Sequence, residues 1–180
     1  MNGARSQELA LPAAAFTALR HTLIAEVGAQ RAAAVLRQAG HAAGDALFRA
    51  LAQSRGATDL AGLEASEFWK RLTQLFATRG WGSLQHATPH PGVGALESAD
   101  WGEADPGSGA RRPSCFFSTG LLANLLGQVA DADVAVLEVE CRSRGDQHCR
   151  FLYGSPDALD AVYSRVAAGE EPEYAVAQLY

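Results

Sequence analysis

The residues best suited to chemistry are the chain's three cysteines, Cys115, Cys141 and Cys149. Cys141 and Cys149 flank the polar segment Arg142-Ser-Arg-Gly145-Asp146-Gln-His148, and Cys115 lies 26 residues before Cys141. Thiolates are strong ligands for zinc, and three of them with one further donor complete the closed tetrahedral shell of a structural site. Glu138, Glu140 and His148 stand beside the sulfurs as candidates for the fourth place. Glu138 and Glu140 interrupt an otherwise apolar run, and charged residues are rarely buried unless paired or metal-bound. Two other readings fit the same spacing. The thiols could pack as small hydrophobes, or Cys141 and Cys149 could form a disulfide, which a chain without an export signal does not favour.

The elements that must position these groups are a strand over 134–141, a tight turn at Gly145-Asp146 and a returning strand from Cys149. Centring the turn on Gly145 pairs Cys141 with Cys149, Val139 with Phe151 and Leu137 with Tyr153. Directly opposed residues hold their β-carbons about 4.5–5.5 Å apart, within reach of one shared atom. Strict alternation puts Ala135, Leu137, Val139 and Cys141 on one face, read as the core side. Glu138 and Glu140 then point the other way, so either reaches the sulfurs only if the strand bulges or ends early. His148 has the same difficulty beside Cys149.

Upstream, the apolar spacing predicts a helix opened by Pro12, with Phe16, Leu19, Leu23, Ile24 and Val27 as its stripe. A second helix is expected over 30–53, where Gly40 and Gly44 would let another element approach closely. A third runs to Thr78 from an N-cap at Ser66 and buries Trp69, Leu72, Leu75 and Phe76. Ser54 to Thr58 reads as a turn. Residues 82–101 read as a hairpin whose turn occupies the breaker-rich segment His86 to Gly92. The segment 100–113 has no apolar periodicity, as expected of an unstructured connection or a lid. A nearly all-apolar helix from Phe116 to Gln128 should be buried on most sides, and Pro156 opens a last helix ending near Ala168. The organisation read from this is an arm over 1–11, a single domain over 12–168 and a tail over 169–180.

Composition narrows the function classes. With 180 residues, 48% of them hydrophobic, the chain can bury a substantial core. A net charge of −5 argues against a nucleic-acid face. No apolar run reaches the roughly 18–20 residues of a membrane span, and no signal peptide is evident, so a cytoplasmic protein is expected. No glycine-rich dinucleotide loop follows a strand, which gives no support for nicotinamide or flavin chemistry.

The pattern Glu138-x-x-Cys141-x-x-x-Gly145-Asp146-x-x-Cys149-x-Phe151, preceded by Cys115 and the helix from Phe116, resembles the 4-vinyl reductase domain family. It is also similar to the N-terminal sensory domain of phenol- and xylene-responsive transcriptional activators. Glu26-Val-Gly28, Ala39-Gly40 and Gly80-Trp81-Gly82 look like further family features, so the resemblance spans roughly residues 15–165. It implies an α/β (α+β) fold related to vesicle-tethering TRAPP subunits, with an antiparallel sheet packed against helices around an apolar cavity. It also implies a homodimer. The zinc ligands would be Cys115, Glu138, Cys141 and Cys149, with the metal bracing the cavity floor.

The phenol sensors grip the hydroxyl with a histidine and a tryptophan. Counting back from Cys115 puts Ser66 and Gly94 near those places, which speaks against phenol as the ligand here. The leading expectation is therefore a zinc-braced binding module for a small apolar or aromatic ligand, with no catalytic residues. Its cavity would be lined by Trp69, Leu72, Phe76, Trp81, Phe117, Leu121, Val136 and Tyr153, each of which could equally be ordinary core. The alternatives are a factor in bacteriochlorophyll synthesis, carrying the pigment or reducing its vinyl group, and a dimeric interaction subunit.

Overall fold

The computed structural model describes residues 9–53, 60 and 62–179; the expected turn over 54–58 and the arm over 1–8 lie outside these. Three helices come first, α1 (Ala13–Val27), α2 (Ala29–Gln53) and α3 (Ala65–Thr78). The hairpin β1 (Gln85–His90) and β2 (Val93–Ser98) follows, then α4 (Phe116–Ala130), the hairpin β3 (Ala135–Glu140) and β4 (Cys149–Gly154), α5 (Pro156–Ala167) and α6 (Pro172–Ala177). The four strands form one antiparallel sheet in the order β1-β2-β4-β3. This is the expected α/β architecture of an antiparallel sheet packed against helices.

Alternation along the strands gives the sheet two apolar faces. On one, Leu96 and Phe151 meet Leu51, Leu72, Phe76, Leu121 and Leu125 from α2, α3 and α4. On the other, Val93, Ala95, Val139 and Leu152 lie under Leu159 and Val162 of α5 and Ala175 and Val176 of α6. Each fully buried side chain of this kind contributes roughly 1.5–3 kcal/mol. The region expected as a tail, 169–180, thus contains a helix with two buried side chains. No described helix is long and apolar enough to cross a membrane.

Helices α2 and α4 lie in unusually close contact. A Cβ built on Gly40 would sit 1.9 Å from the carbonyl oxygen of Phe117, and one on Gly120 would sit 2.0 Å from that of Arg37. Only glycine allows two backbones to approach so near.

Several local expectations change. The turn between β1 and β2 is only Pro91-Gly92, and Pro89 lies within β1. An edge strand tolerates proline, and the register shifts by one residue between Ala87 and His90. Helix α3 begins at Ala65 rather than after Ser66, and no side chain caps it. The stripe of α1 is not its buried face: Leu19, Ile24 and Val27 are exposed, and the helix buries Arg20 alone. Residues 100–113 are not unstructured, because Trp101 and Glu103 are each 1% exposed. They pin a connection that includes a short 3-10 turn, Pro106–Ser108.

Candidate functional site

The second hairpin resolves the parity difficulty through a β-bulge. Val136 pairs with Tyr153 and Glu138 with Phe151, but Glu140 pairs with Arg150, so β3 holds one extra residue between Glu138 and Glu140. The expected partners Val139–Phe151 and Leu137–Tyr153 are therefore displaced by one position. A bulge re-aims the side chains around it. Here Ala135, Leu137 and Val139 face the smaller core under α5 and α6, whereas Val134, Val136 and Cys141 belong to the main core. That reverses the face assigned to the first three by simple alternation and puts Glu138 on the same side as Cys141.

The turn beyond the bulge is built to hold the sulfurs. Asp146 accepts the backbone N–H of Cys141 at 2.7 Å. Arg144 donates to Asp146 at 2.8 Å and to the carbonyl of Val139, the bulged residue, at 3.1 Å. Gly145 adopts φ 104°, a conformation open to glycine, and ends the 3-10 turn over Arg142–Arg144. The backbone N–H of Arg142 points at Cys149 Sγ, 3.5 Å away.

Cys115 arrives from the other direction, as the N-cap of α4. Its Sγ lies 3.8 Å from Cys141 Sγ and 4.0 Å from Cys149 Sγ. Glu138 Oε2 accepts the Cys115 backbone N–H at 2.8 Å. One ligand atom from each of Cys115, Glu138, Cys141 and Cys149 falls within 4.8 Å of the others, and all four residues are buried. The three thiols are free of disulfides. Glu140 turns away: it pairs with His148 at 2.7 Å and with Arg150 at 3.5 Å. Of the three candidates for the fourth donor, Glu138 alone joins the sulfurs.

The electrostatics of the four groups are those of a site that wants a cation. Hydrogen bonds from Cys115 and Cys149 pull the Cys141 thiol well below its ordinary pKa. Cys115 is pushed well up by its contacts with Cys141 and Cys149 and by burial. For Cys149 the contact with Cys115 pulls down, while the contact with Cys141 and burial push up, and the net shift is upward. Burial, and then the charge on Cys141, raises the Glu138 carboxyl. Several acids packed in a dry site cannot all ionise together.

Glu138 Oε1 is buried with no hydrogen-bond partner. An orphaned carboxylate oxygen beside three inward sulfurs is the arrangement a bound cation would complete. The cluster could hold a metal ion.

A second polar core supports α4. Glu103 accepts the backbone N–H of Phe117 at 3.0 Å and of Ser118 at 2.7 Å, so it caps the helix from outside. Ser118 Oγ also donates to Glu103 and receives the Trp101 indole N–H at 2.7 Å. Burial pushes the Glu103 carboxyl pKa up, against the pull of Ser118 and Arg20. Arg20 donates to the Glu103 carbonyl and to the Ser114 carbonyl at 3.3 Å. Ser114 Oγ in turn lies 3.9 Å from Cys141 Sγ. Sequence reading passed over Glu103, Trp101 and Arg20, since a charged residue in a glycine-rich connection or on a helix looks solvated until its distant partners are known.

The eight residues expected to line one cavity fall into three places. Trp81, Phe117 and Leu121 line a groove of about 770 Å³ between α1, α2 and the start of α4, joined by Phe16 and Leu47. Trp81 and Phe117 stack there, with centroids 5.7 Å apart and planes 9° from parallel. Leu72 and Phe76 are sealed in the main core, and Val136 packs against it.

Trp69 and Tyr153 meet elsewhere, around His86. The His86 ring stacks on Trp69 at 3.8 Å, and its Nε2 is 2.8 Å from the Tyr153 hydroxyl. Burial lowers the pKa of His86 and raises that of Tyr153 to about 12, so neutral imidazole accepts the phenolic proton. The Tyr153 ring covers Gly94, where a Cβ would lie 2.1 Å from Tyr153 Cζ.

Residues 105–155 match the family model of the 4-vinyl reductase domain. That stretch contains the helix α4, the β3–β4 hairpin and all four residues of the cluster. No curated protein matches the chain. Among solved structures, it is similar to the phenol-responsive sensory domain of the transcription activator PoxR bound to phenol, at 19% identity and a TM-score of 0.69, covering 89% of this chain and 82% of that one. It is also similar to a vinyl-4-reductase family protein from Methanocaldococcus jannaschii, at 18% identity and a TM-score of 0.54, covering 82% and 83%. At these identities the likeness is one of fold.

Proposed function

We propose that this chain, with its 4-vinyl-reductase-type segment, is a sensor-type binding domain for a small apolar or aromatic molecule, braced by a structural zinc ion. The observation that carries this reading is the course of α4. The helix starts on a cluster residue, Cys115, and its next two turns deliver Phe117 and Leu121 to the groove. A metal bound by Cys115, Glu138, Cys141 and Cys149 would supply a cross-link and no open coordination position, which suits a structural role. Phe16, Trp81 and Phe117 then offer aromatic surface, and Leu47 and Leu121 aliphatic surface, to a ligand selected by shape and apolar burial. Asp146 and Arg144 hold the turn, and Glu103 fixes the first turn of α4. No side chain in this assembly is set up to move a proton to or from a ligand in the groove.

The likeness to a phenol-binding domain supports the ligand class and not phenol itself, because Tyr153 fills the space over Gly94. The exposed apolar residues Leu19, Ile24, Val27 and Val35 support pairing of two copies, which light scattering of the purified chain would report.

Native mass spectrometry of protein isolated from cells tests the central reading. One zinc per chain, together with an added organic mass that disappears in Trp81→Ala or Phe117→Ala, is the expected result. Metal-free protein that is folded, and whose stability is indifferent to Cys149→Ser, would overturn it.

A further inference from the structure

Helix α1 is fastened to the body by a polar contact rather than by an apolar face. Its one buried side chain is Arg20, 4% exposed, whose guanidinium donates to the carbonyl of Glu103 and to the carbonyl and hydroxyl of Ser114, the last two at 3.3 and 3.4 Å. His21 adds a surface contact with Asp105 at 3.2 Å. Phe16 sets its ring edge-on against Trp81 and Phe117, with centroids 6.3 and 5.4 Å away. Beyond Arg20 the helix leaves Leu19, Ile24 and Val27 in solvent. Yet α1 and the residues just before it, Leu9 and Leu11 among them, make one wall of the groove.

We propose that α1 is a lid over the groove and that Arg20 is its latch. The inference rests on the groove being the ligand site and adds how that site is opened. Release requires Arg20 to leave three acceptors and Phe16 to slide off the aromatic floor, and no apolar core is broken. Segments with few buried apolar contacts are the ones that open locally, well below the free energy of global unfolding.

The hinge is in place. Gly28 is the single residue between α1 and α2, has φ 79°, and has nothing within 4 Å of where a Cβ would stand. The latch also touches the metal cluster. Ser114 precedes Cys115, so Arg20 closes on the segment that presents the first sulfur, and Glu103, its other anchor, caps the helix that carries Phe117. Closing the lid and ordering the start of α4 are therefore one event.

Hydrogen–deuterium exchange on the full chain, with its metal, tests the lid without any ligand. In the wild type, residues 13–27 should exchange at least tenfold faster than α4. Arg20→Ala should raise exchange over 13–27 a further tenfold or more while leaving α4 and the β3–β4 hairpin unchanged, and Arg20→Lys should fall between. Equal protection of α1 and α4 in the wild type overturns the lid, and that comparison decides the matter should Arg20→Ala fail to fold. A uniform rise in Arg20→Ala, or none, overturns the latch.

The apolar probe 1-anilinonaphthalene-8-sulfonate separates this from the ligand reading. Faster association with Arg20→Ala supports the lid and an unchanged rate counts against it. A probe whose binding ignores Phe117→Ala counts against the groove as the ligand site.

Discussion

Glu138 and Cys115 meet at two levels: the carboxylate accepts the cysteine's backbone N–H at 2.8 Å through Oε2, and its other oxygen is left buried and unpartnered beside the cysteine's sulfur. A glutamate from the sheet thereby fixes the first residue of α4 and offers a free donor atom to whatever the sulfurs hold. Removing either member should matter more than its own contacts suggest, because two secondary structure elements lose a common anchor.

Cys149→Ser should abolish tight binding of zinc and destabilise the chain by about 3 kcal/mol or more, the range seen when a structural metal site is broken. Glu138→Gln keeps an oxygen for the Cys115 N–H and removes the charge, so it should retain the fold and lose most of its zinc affinity. Chemical denaturation with and without a chelator separates the two effects. Chelation should lower the wild-type midpoint and leave that of Cys149→Ser where it was.

Zinc binding should release protons. Near neutral pH the metal-free cluster keeps Cys115, Cys149 and the Glu138 carboxyl protonated, since all three pKa values are raised, while Cys141 is already ionised. A metal needs the deprotonated forms. Calorimetry in buffers of different ionisation heat should therefore find about two or three protons released per zinc. Affinity should fall as the pH is lowered, and a binding constant flat with pH would contradict the assignment of these ligands.

What was legible in the sequence followed local chemistry. The helices from Pro12, Phe116 and Pro156, and the turn at Gly145-Asp146, each announce themselves through neighbouring residues. The three cysteines and Glu138 stood out by type and spacing. The parity argument located a necessary irregularity in β3, but not at which residue, because the bulge is held by Arg144 reaching back to the Val139 carbonyl. Arg20 was invisible for a related reason. Its acceptors are 83 and 94 residues away, so the stripe of Leu19, Ile24 and Val27 looked like the buried face. The cavity residues failed to gather at one place because apolar type marks burial and does not distinguish a groove wall, as at Trp81, from a sealed core, as at Phe76.

Gly40→Ala should destabilise the chain although alanine is the better helix former. Propensity alone would favour the change by about 1 kcal/mol. The new methyl, however, would stand 1.9 Å from the Phe117 carbonyl oxygen, which is backbone and cannot rotate away. Forcing α2 and α4 apart should cost about 1–3 kcal/mol or more, on the order of an overpacked core. It should also disturb Phe117 and Leu121, which continue α4 beside the contact. Thermal unfolding gives the sign directly, and a rise in midpoint would show the two helices to be less tightly opposed than these positions require.

His86 should make stability depend on pH in a definite direction. Burial holds its folded-state pKa below the ordinary value of 6.5, and its Nε2 accepts the Tyr153 hydroxyl only while neutral. As pH falls past about 6.5, the unfolded chain takes up a proton that the folded chain resists. Stability is therefore full above that value, falls as the pH drops towards the folded pKa, and levels off once both states are protonated. His86→Gln keeps an acceptor for Tyr153 and cannot titrate, so the difference between wild-type and variant unfolding free energies should shrink or reverse on acidification. Tyr153→Phe removes the hydroxyl and should destabilise at neutral pH by about 1 kcal/mol, the net worth of one hydrogen bond. Denaturant titrations of the zinc-loaded chain between about pH 5 and 8 would check both, and a wild-type-minus-variant difference that is constant across that window would show that His86 is charged alike in the folded and unfolded chain.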